Sequence, residues 1–225
     1  MDGHGPYRFL VDTGSNVELI DANLARSIGL RANSQDDLTS PTGKISVAGS
    51  DRNVIVLGNA EARGQKLLSA PLDASGTFFS DIQGVLGQQF LSQFDHSLDL
   101  RSKRLEFGKH NHHGLRAQFK MVNALPVVST NLGNLALDSG GVRLVRFGTD
   151  PDINSSVDRA LRTVTGAQKV GLVYHQQLFI KGRKVWEGVA VAIPNQSDPG
   201  VDGLMPLSFF KAIYVCNSEG YMVFD

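Results

Sequence analysis

The chain has 225 residues, 41% hydrophobic and 20% charged, and its 22 basic and 22 acidic side chains cancel. Such a composition describes a globular protein with a buried core and excludes a disordered chain; with no basic block it also offers nothing for nucleic-acid or anionic-membrane binding. No apolar run approaches the roughly 18 residues of a membrane helix, and the single cysteine, Cys216, permits no intrachain disulfide and reads as a small buried residue.

Asp2-Gly3-His4-Gly5-Pro6 has the residues of a turn. Such a turn joins two strands, so a further strand is expected upstream of Met1. Tyr7–Val11 is a short apolar β-type run ending at Asp12-Thr13-Gly14-Ser15, and Val17–Ile20 is a second one. Asp21 can then cap a helix, Ala22–Ile28, that Gly29 stops. Thr39–Val56, with Pro41, Gly43 and Gly49 among alternating small and branched residues, predicts a hairpin.

Gly84-Val85-Leu86-Gly87 precedes the amphipathic QQFLSQF, and Ser97–Phe107 alternates like a half-exposed hairpin turning near Arg101–Lys103. Residues 109–121 are polar and histidine-rich and form the expected linker between halves 1–108 and 122–225. His110, His112 and His113 lie in it as a solvated loop, without the spacing of a metal site. His96 and His175 read as surface or satisfied residues, and Trp186, Phe209 and Phe210 as packing.

The halves repeat one another. Leu135-Ala136-Leu137 runs into Asp138-Ser139-Gly140 as Phe9-Leu10-Val11 runs into Asp12-Thr13-Gly14. Gly203-Leu204-Met205-Pro206 answers Gly84-Val85-Leu86-Gly87, at 65 residues after its aspartate against 72. Thr165-Gly166 answers Thr42-Gly43, at 27 residues against 30. Three ordered matches predict two related, strand-dominated lobes with short helices.

Two copies of strand, Asp, hydroxyl residue and Gly predict two acidic turns facing each other. Thr13 and Ser139 can hydrogen-bond to the opposite turn's backbone, and Gly14 and Gly140 carry no Cβ to hinder close approach. Two carboxyls about 3 Å apart cannot both ionise comfortably, and one shared proton makes such a pair base and acid at once.

LVDTGSN, GVLG with QQFL, DLRSKRLEF and the second LALDSGG resemble the retropepsin-like and pepsin-like aspartic peptidases in a tandem, two-lobed form. The resemblance implies two acid-protease β-barrel lobes related by a pseudo-twofold axis and an aspartic endopeptidase acting on peptide or protein substrates. It implies a water-activating dyad of Asp12 and Asp138 without cofactor or metal, supported by Thr13, Gly14, Ser15, Ser139 and Gly140. Ser15 would bond the outer oxygen of Asp12. Pepsin-type enzymes carry one tyrosine-bearing flap, but no Tyr lies between Lys44 and Leu68. Two Gly-rich flaps at Thr42-Gly43 and Thr165-Gly166 are therefore expected to contact the substrate. A monomer containing both acids is expected, in an extracytoplasmic setting as for relatives of this kind.

Two departures support an alternative, a catalytically inactive peptide-binding or assembly scaffold. Gly141 stands where Ser15 stands in the first copy, which leaves Asp138 without a hydroxyl donor and favours its holding the proton. Pro206 replaces the glycine corresponding to Gly87. A third reading, a fragment that works as a dimer through an open sheet edge, follows from the expected upstream strand. No G-x-S-x-G, P-loop or G-x-G-x-x-G is present. Asn154-Ser155-Ser156 and Asn195-Gln196-Ser197 match a glycosylation tripeptide, a pattern too common to carry weight.

Overall fold

A computed structural model of the chain describes residues 1–72, 81–152, 159–196 and 198–225; both glycosylation-type tripeptides fall at least partly outside them. In the first half the strands are β1 (Phe9–Val11), β2 (Glu18–Asp21), β3 (Ser34–Ser40), β4 (Gly43–Leu57), β5 (Ala60–Ala70), β6 (Gly84–Leu86), β7 (His96–Asp99) and β8 (Arg104–Phe107). Then come β9 (Leu115–Gln118), β10 (Lys120–Val122), β11 (Leu125–Thr130), β12 (Gly133–Asp138), β13 (Val145–Phe147), β14 (Arg159–Thr163), β15 (Gly166–Ile180) and β16 (Arg183–Ile193). The last are β17 (Gly203–Pro206), β18 (Ala212–Cys216) and β19 (Tyr221–Phe224). Helices are short: α1 (Ala22–Ser27), α2 (Gln88–Leu91) and a 3-10 turn at Leu207–Phe209.

Local chemistry sets the boundaries. The Asp21 carboxylate accepts from the Asn23 and Leu24 N–H groups at 2.9 and 3.1 Å, satisfying donors that the first turn of α1 leaves open. Gly29, at φ +69°, takes the left-handed conformation that ends the helix. The β3–β4 and β14–β15 hairpins leave their turns through Gly43 and Gly166, at φ +145° and +143°. That backbone is one L side chains rarely adopt, which gives the Thr-Gly repeat a local reason.

The first sheet has the order β1-β6-β2-β5-β4-β3, and the second contains β12-β17-β13-β16-β15-β14, a strand-for-strand copy. Pairing direction also repeats: β1 with β6 and β12 with β17 run parallel, whereas β2 with β6 and β13 with β17 run antiparallel. The chain thus adopts the two-lobed, mostly β architecture that its repeat predicts. The second sheet continues beyond β12 into β11 and β10.

A third sheet, β8-β7-β18-β19-β9, mixes strands from both halves. Residues 109–121 therefore include sheet structure: β9 pairs with β19, from Leu115 opposite Phe224 to Gln118 opposite Tyr221. Leu115 and Ala117 join the core while Arg116 faces the other way. An alternation of four residues is too short to stand out in sequence.

Apolar burial follows the same plan. Leu135, Leu137, Leu144, Leu178 and Met205 of the second lobe pack with Leu98, Ile213, Val215, Met222 and Phe224 on the inner face of the third sheet. Ile20, Leu67, Leu86, Phe90 and Leu91 centre the first lobe, and Val11 and Leu105 touch both clusters. Each such buried side chain contributes about 1.5–3 kcal/mol. Trp186 stacks on Phe209 at 4.6 Å against the core, a packing role as expected.

The histidines differ from expectation in two places. His96 is fully buried, with Nδ1 against the Phe94 carbonyl at 3.0 Å and Nε2 without a partner among the described residues. Residues 108–114 do not simply trail in solvent. They cross from β8 at one edge of the third sheet to β9 at the other, and the His112 ring stacks on Tyr214 of the central strand at 4.4 Å. A seven-residue strap carries no periodicity that would reveal such a contact in sequence. His175 is exposed, at an irregularity of β15.

Candidate active site

Each lobe delivers an aspartate at the end of a strand that runs parallel to a glycine-bearing partner. Asp12 follows β1, held by its N–H to the Leu86 carbonyl at 2.9 Å. Asp138 is the last residue of β12 and lies opposite Pro206 of β17.

The two loops interlock. The Thr13 N–H donates to Ser139 Oγ at 2.9 Å and the Thr13 hydroxyl to the Leu137 carbonyl at 2.9 Å. Reciprocally, the Ser139 N–H donates to Thr13 Oγ1 at 3.0 Å and the Ser139 hydroxyl to the Val11 carbonyl at 2.7 Å. Each hydroxyl accepts from the opposite loop and donates to the opposite strand, so both of its functions are used. Thr13 is fully buried, and unpairing such groups would cost about 1–3 kcal/mol apiece.

The glycines define how close the acids come. A Cβ on Gly14 would sit 2.9 Å from Asp138 Cγ, and one on Gly140 would sit 2.7 Å from Asp12 Cγ. The two carboxyls lie close enough to shift one another's titration, and each accepts from its own loop, Asp12 Oδ1 from the Gly14 N–H at 2.9 Å and Asp138 Oδ1 from the Gly141 N–H at 2.8 Å.

Both acids are pushed above the usual carboxylate range, chiefly by burial. Asp138, only 8% exposed, rises to about 7 because the neighbouring Asp12 charge adds to desolvation. Asp12 is partly exposed and its contact with Asp138 favours its anion. Burial and the neighbouring Asp12 charge thus favour the protonated form of Asp138.

That asymmetry has a different cause from the one expected. The Ser15 hydroxyl donates to the Val17 carbonyl at 2.8 Å and closes a local turn; it does not bond Asp12. Gly141 is also not merely a missing hydroxyl, because a Cβ there would stand 2.3 Å from Asp138 Oδ2. With the carboxyl in this position no side chain fits.

Beneath the first loop lies a residue that sequence reading passed over. Glu18 of β2 is fully buried; its Oε1 accepts from the Phe90 N–H at 2.8 Å, and its Oε2 has no partner among the described residues. That donor belongs to α2, whose Gln88 in turn holds the aspartate loop through Nε2 to the Thr13 carbonyl at 3.0 Å and its N–H to the Ser15 carbonyl at 2.8 Å. Burial raises Glu18 to about 7. The signal in sequence was a lone acid inside the apolar run Val17–Ile20.

The second lobe solves the same corner without charge. Leu144, fully buried, takes the place of Glu18 relative to its aspartate, and Pro206, which has no N–H to satisfy, takes the place of Gly87.

The two hairpin tips meet. Ser40 Oγ lies 2.7 Å from Thr163 Oγ1 and 2.5 Å from Thr165 Oγ1, Thr42 Oγ1 lies 2.8 Å from Thr165 Oγ1, and Thr42 also touches Thr163. Val164 reaches across to the first lobe's cluster of Leu38, Val47 and Leu68. Gly43 and Gly166 follow these tips, and a Cβ at either would meet no atom within 4 Å, so they serve the turns alone.

Residues 1–90 match a family model described as aspartyl protease. Among solved structures the chain is similar to an aspartic proteinase from Irpex lacteus, at 15% identity and a TM-score of 0.54, over 95% of this chain and 88% of that one. No curated protein matches it at a significant level.

Proposed function

We propose that this chain, whose fold and first lobe are those of a pepsin- and retropepsin-like aspartic peptidase, is an endopeptidase with Asp12 and Asp138 as its catalytic pair. One observation carries this reading: two carboxyls from repeated, interlocked loops are buried so close together that each shifts the other's titration, a setting that favours one proton between them. Both acids come from one chain, so no second copy is needed to complete the pair.

The chemistry follows from that single proton. Asp12, as carboxylate, takes a proton from water while the water oxygen bonds to the scissile carbonyl carbon; Asp138, as acid, gives its proton to the carbonyl oxygen. A neutral gem-diol results. Asp12 then returns its proton to the amide nitrogen as the C–N bond breaks, and Asp138 takes back the hydroxyl proton as the carboxylic acid product forms. Because Asp138 keeps its proton up to about pH 7, the pair loses its last proton only above that value, which suits it to mildly acidic conditions. The experiment that tests the pair is binding of a statine-type transition-state mimic, which needs both carboxyls in one place. Tight binding that Asp12→Asn weakens is expected; no binding between about pH 4 and 7 would leave the inactive scaffold as the better reading.

The Gly43 and Gly166 hairpins are assigned as a pair of flaps, closed tip to tip by Ser40, Thr42, Thr163 and Thr165 over an extended peptide. Replacing Thr42 and Thr165 together by Val removes two hydroxyls and keeps their volume. Each lost bond is worth about 0.5–1.5 kcal/mol, so KM should rise about fivefold or more with little change in kcat. An unchanged KM would separate these tips from substrate capture.

Gly141, one of the features that favoured a scaffold, has a packing reason in this geometry.

A further inference from the structure

The outer face of the third sheet carries chemistry that peptide hydrolysis does not use. Between this face and the strap of residues 108–114 lies a cavity of about 310 Å³, lined by His110, His112, His113, Arg116, Tyr214 and Tyr221. Its size is several times that of a few waters and falls at the lower end of small-molecule sites.

Its walls are preorganised. His112 stacks on Tyr214 with the ring planes 18° apart, and the Arg116 guanidinium lies over the Tyr221 ring at 3.5 Å. These contacts fix the His112 ring and the Arg116 guanidinium without consuming their hydrogen-bond donors. Arg116 approaches an acid only loosely, Glu219 at 3.9 Å, and Lys109 reaches the same carboxylate at 3.3 Å. The His112 Nε2 is buried and has no partner among the described residues.

The charge pattern selects the ligand. Arg116 lines the cavity whereas no carboxylate among the described residues does; Glu219, Glu106 and Asp95 act on its walls from outside the lining, and His112 can add positive charge as pH falls. His112 is held below the ordinary histidine range by burial and by repulsion from His110 and His113, against a weaker pull from Glu106. An anion would relieve that repulsion. No group of three or more His, Cys, Asp or Glu among the described residues is arranged to hold a metal ion.

We propose that this cavity binds a small organic anion bearing a phosphate or carboxylate group, at a site separate from the aspartate pair. Arg116 would supply paired donors to the oxyanion, and His112 a further donor once protonated. Protonation and binding favour each other, so affinity should increase as pH falls.

Calorimetric titration of the full chain with phenyl phosphate and, separately, benzoate tests this and distinguishes the two oxyanions. At least one should saturate one site at about pH 5.5 and bind about tenfold more weakly at about pH 7.5. Arg116→Gln should weaken it about tenfold. His112→Phe keeps the stacked ring and should flatten the pH dependence, whereas Lys184→Gln, remote on β16, should change nothing. A statine-type mimic should not compete. Failure of both anions to saturate, equal affinity at both pH values, indifference to both cavity substitutions, or competition by the mimic would overturn the assignment.

Discussion

Asp12→Asn and Asp138→Asn are each expected to lower peptide turnover by about a thousandfold or more while the chain stays folded. Asparagine retains an oxygen for the Gly14 or Gly141 N–H and the volume that the opposing glycine accommodates, so the interlocked loops have no reason to move. What it cannot do is take up and release a proton, and in this pair each acid must do both once per turnover. The variants should differ in stability. Above about pH 7 the wild-type chain ionises a desolvated Asp138 beside Asp12, so Asp138→Asn should raise Tm at pH 8 by more than Asp12→Asn does. Turnover near the wild-type rate in either variant, measured on a long unstructured peptide, would reject the pair.

Thermal stability is expected to fall as pH rises from about 4.5 to about 7, with Glu18 a principal cause. Its carboxyl moves from an ordinary 4.5 to about 7 on folding, so the folded chain holds a proton that the unfolded chain has lost. The associated stability, about 3 kcal/mol, is present below the lower value and gone above the higher one. Asp138 acts in the same direction. Glu18→Gln leaves an oxygen for the Phe90 N–H and removes the titration, so its Tm should be flatter over this range. Glu18→Ala strands that donor and opens a cavity, at a cost of about 3–5 kcal/mol. A wild-type Tm that rises between pH 4.5 and 7, or an equal slope in Glu18→Gln, would show that this carboxyl is not the determinant.

Much of the fold was legible because duplication writes the same constraints twice. A strand ending in Asp, a hydroxyl, and a glycine is weak once, but its recurrence with Gly84-Val85-Leu86-Gly87 and Gly203-Leu204-Met205-Pro206 at similar spacing implies matching sheets. The contact between hydroxyls and opposite backbone could be anticipated from residue type alone. Orientation could not. Ser15 has two acceptors in reach of a short side chain, and the Val17 carbonyl wins through a local turn that the sequence does not distinguish from a bond to Asp12.

Other features were hidden for different reasons. Glu18 sits in an apolar run whose periodicity says "strand", and its role depends on a donor contributed 72 residues later by α2. The strap over Tyr214 depends on which strands lie at the edges of the third sheet, a long-range fact. Composition read it as solvent-facing because histidine, asparagine and glycine are typical of loops.

The third sheet has one more consequence. Its ladder joins the halves, with β7 from the first hydrogen-bonded to β18 from the second, Leu98 opposite Ile213. Neither half can therefore melt without stripping backbone partners from the other, and their cooperativity is built into main-chain pairing, which no single side-chain replacement removes. Scission of the strap would leave two fragments still zipped together, a nicked but associated molecule.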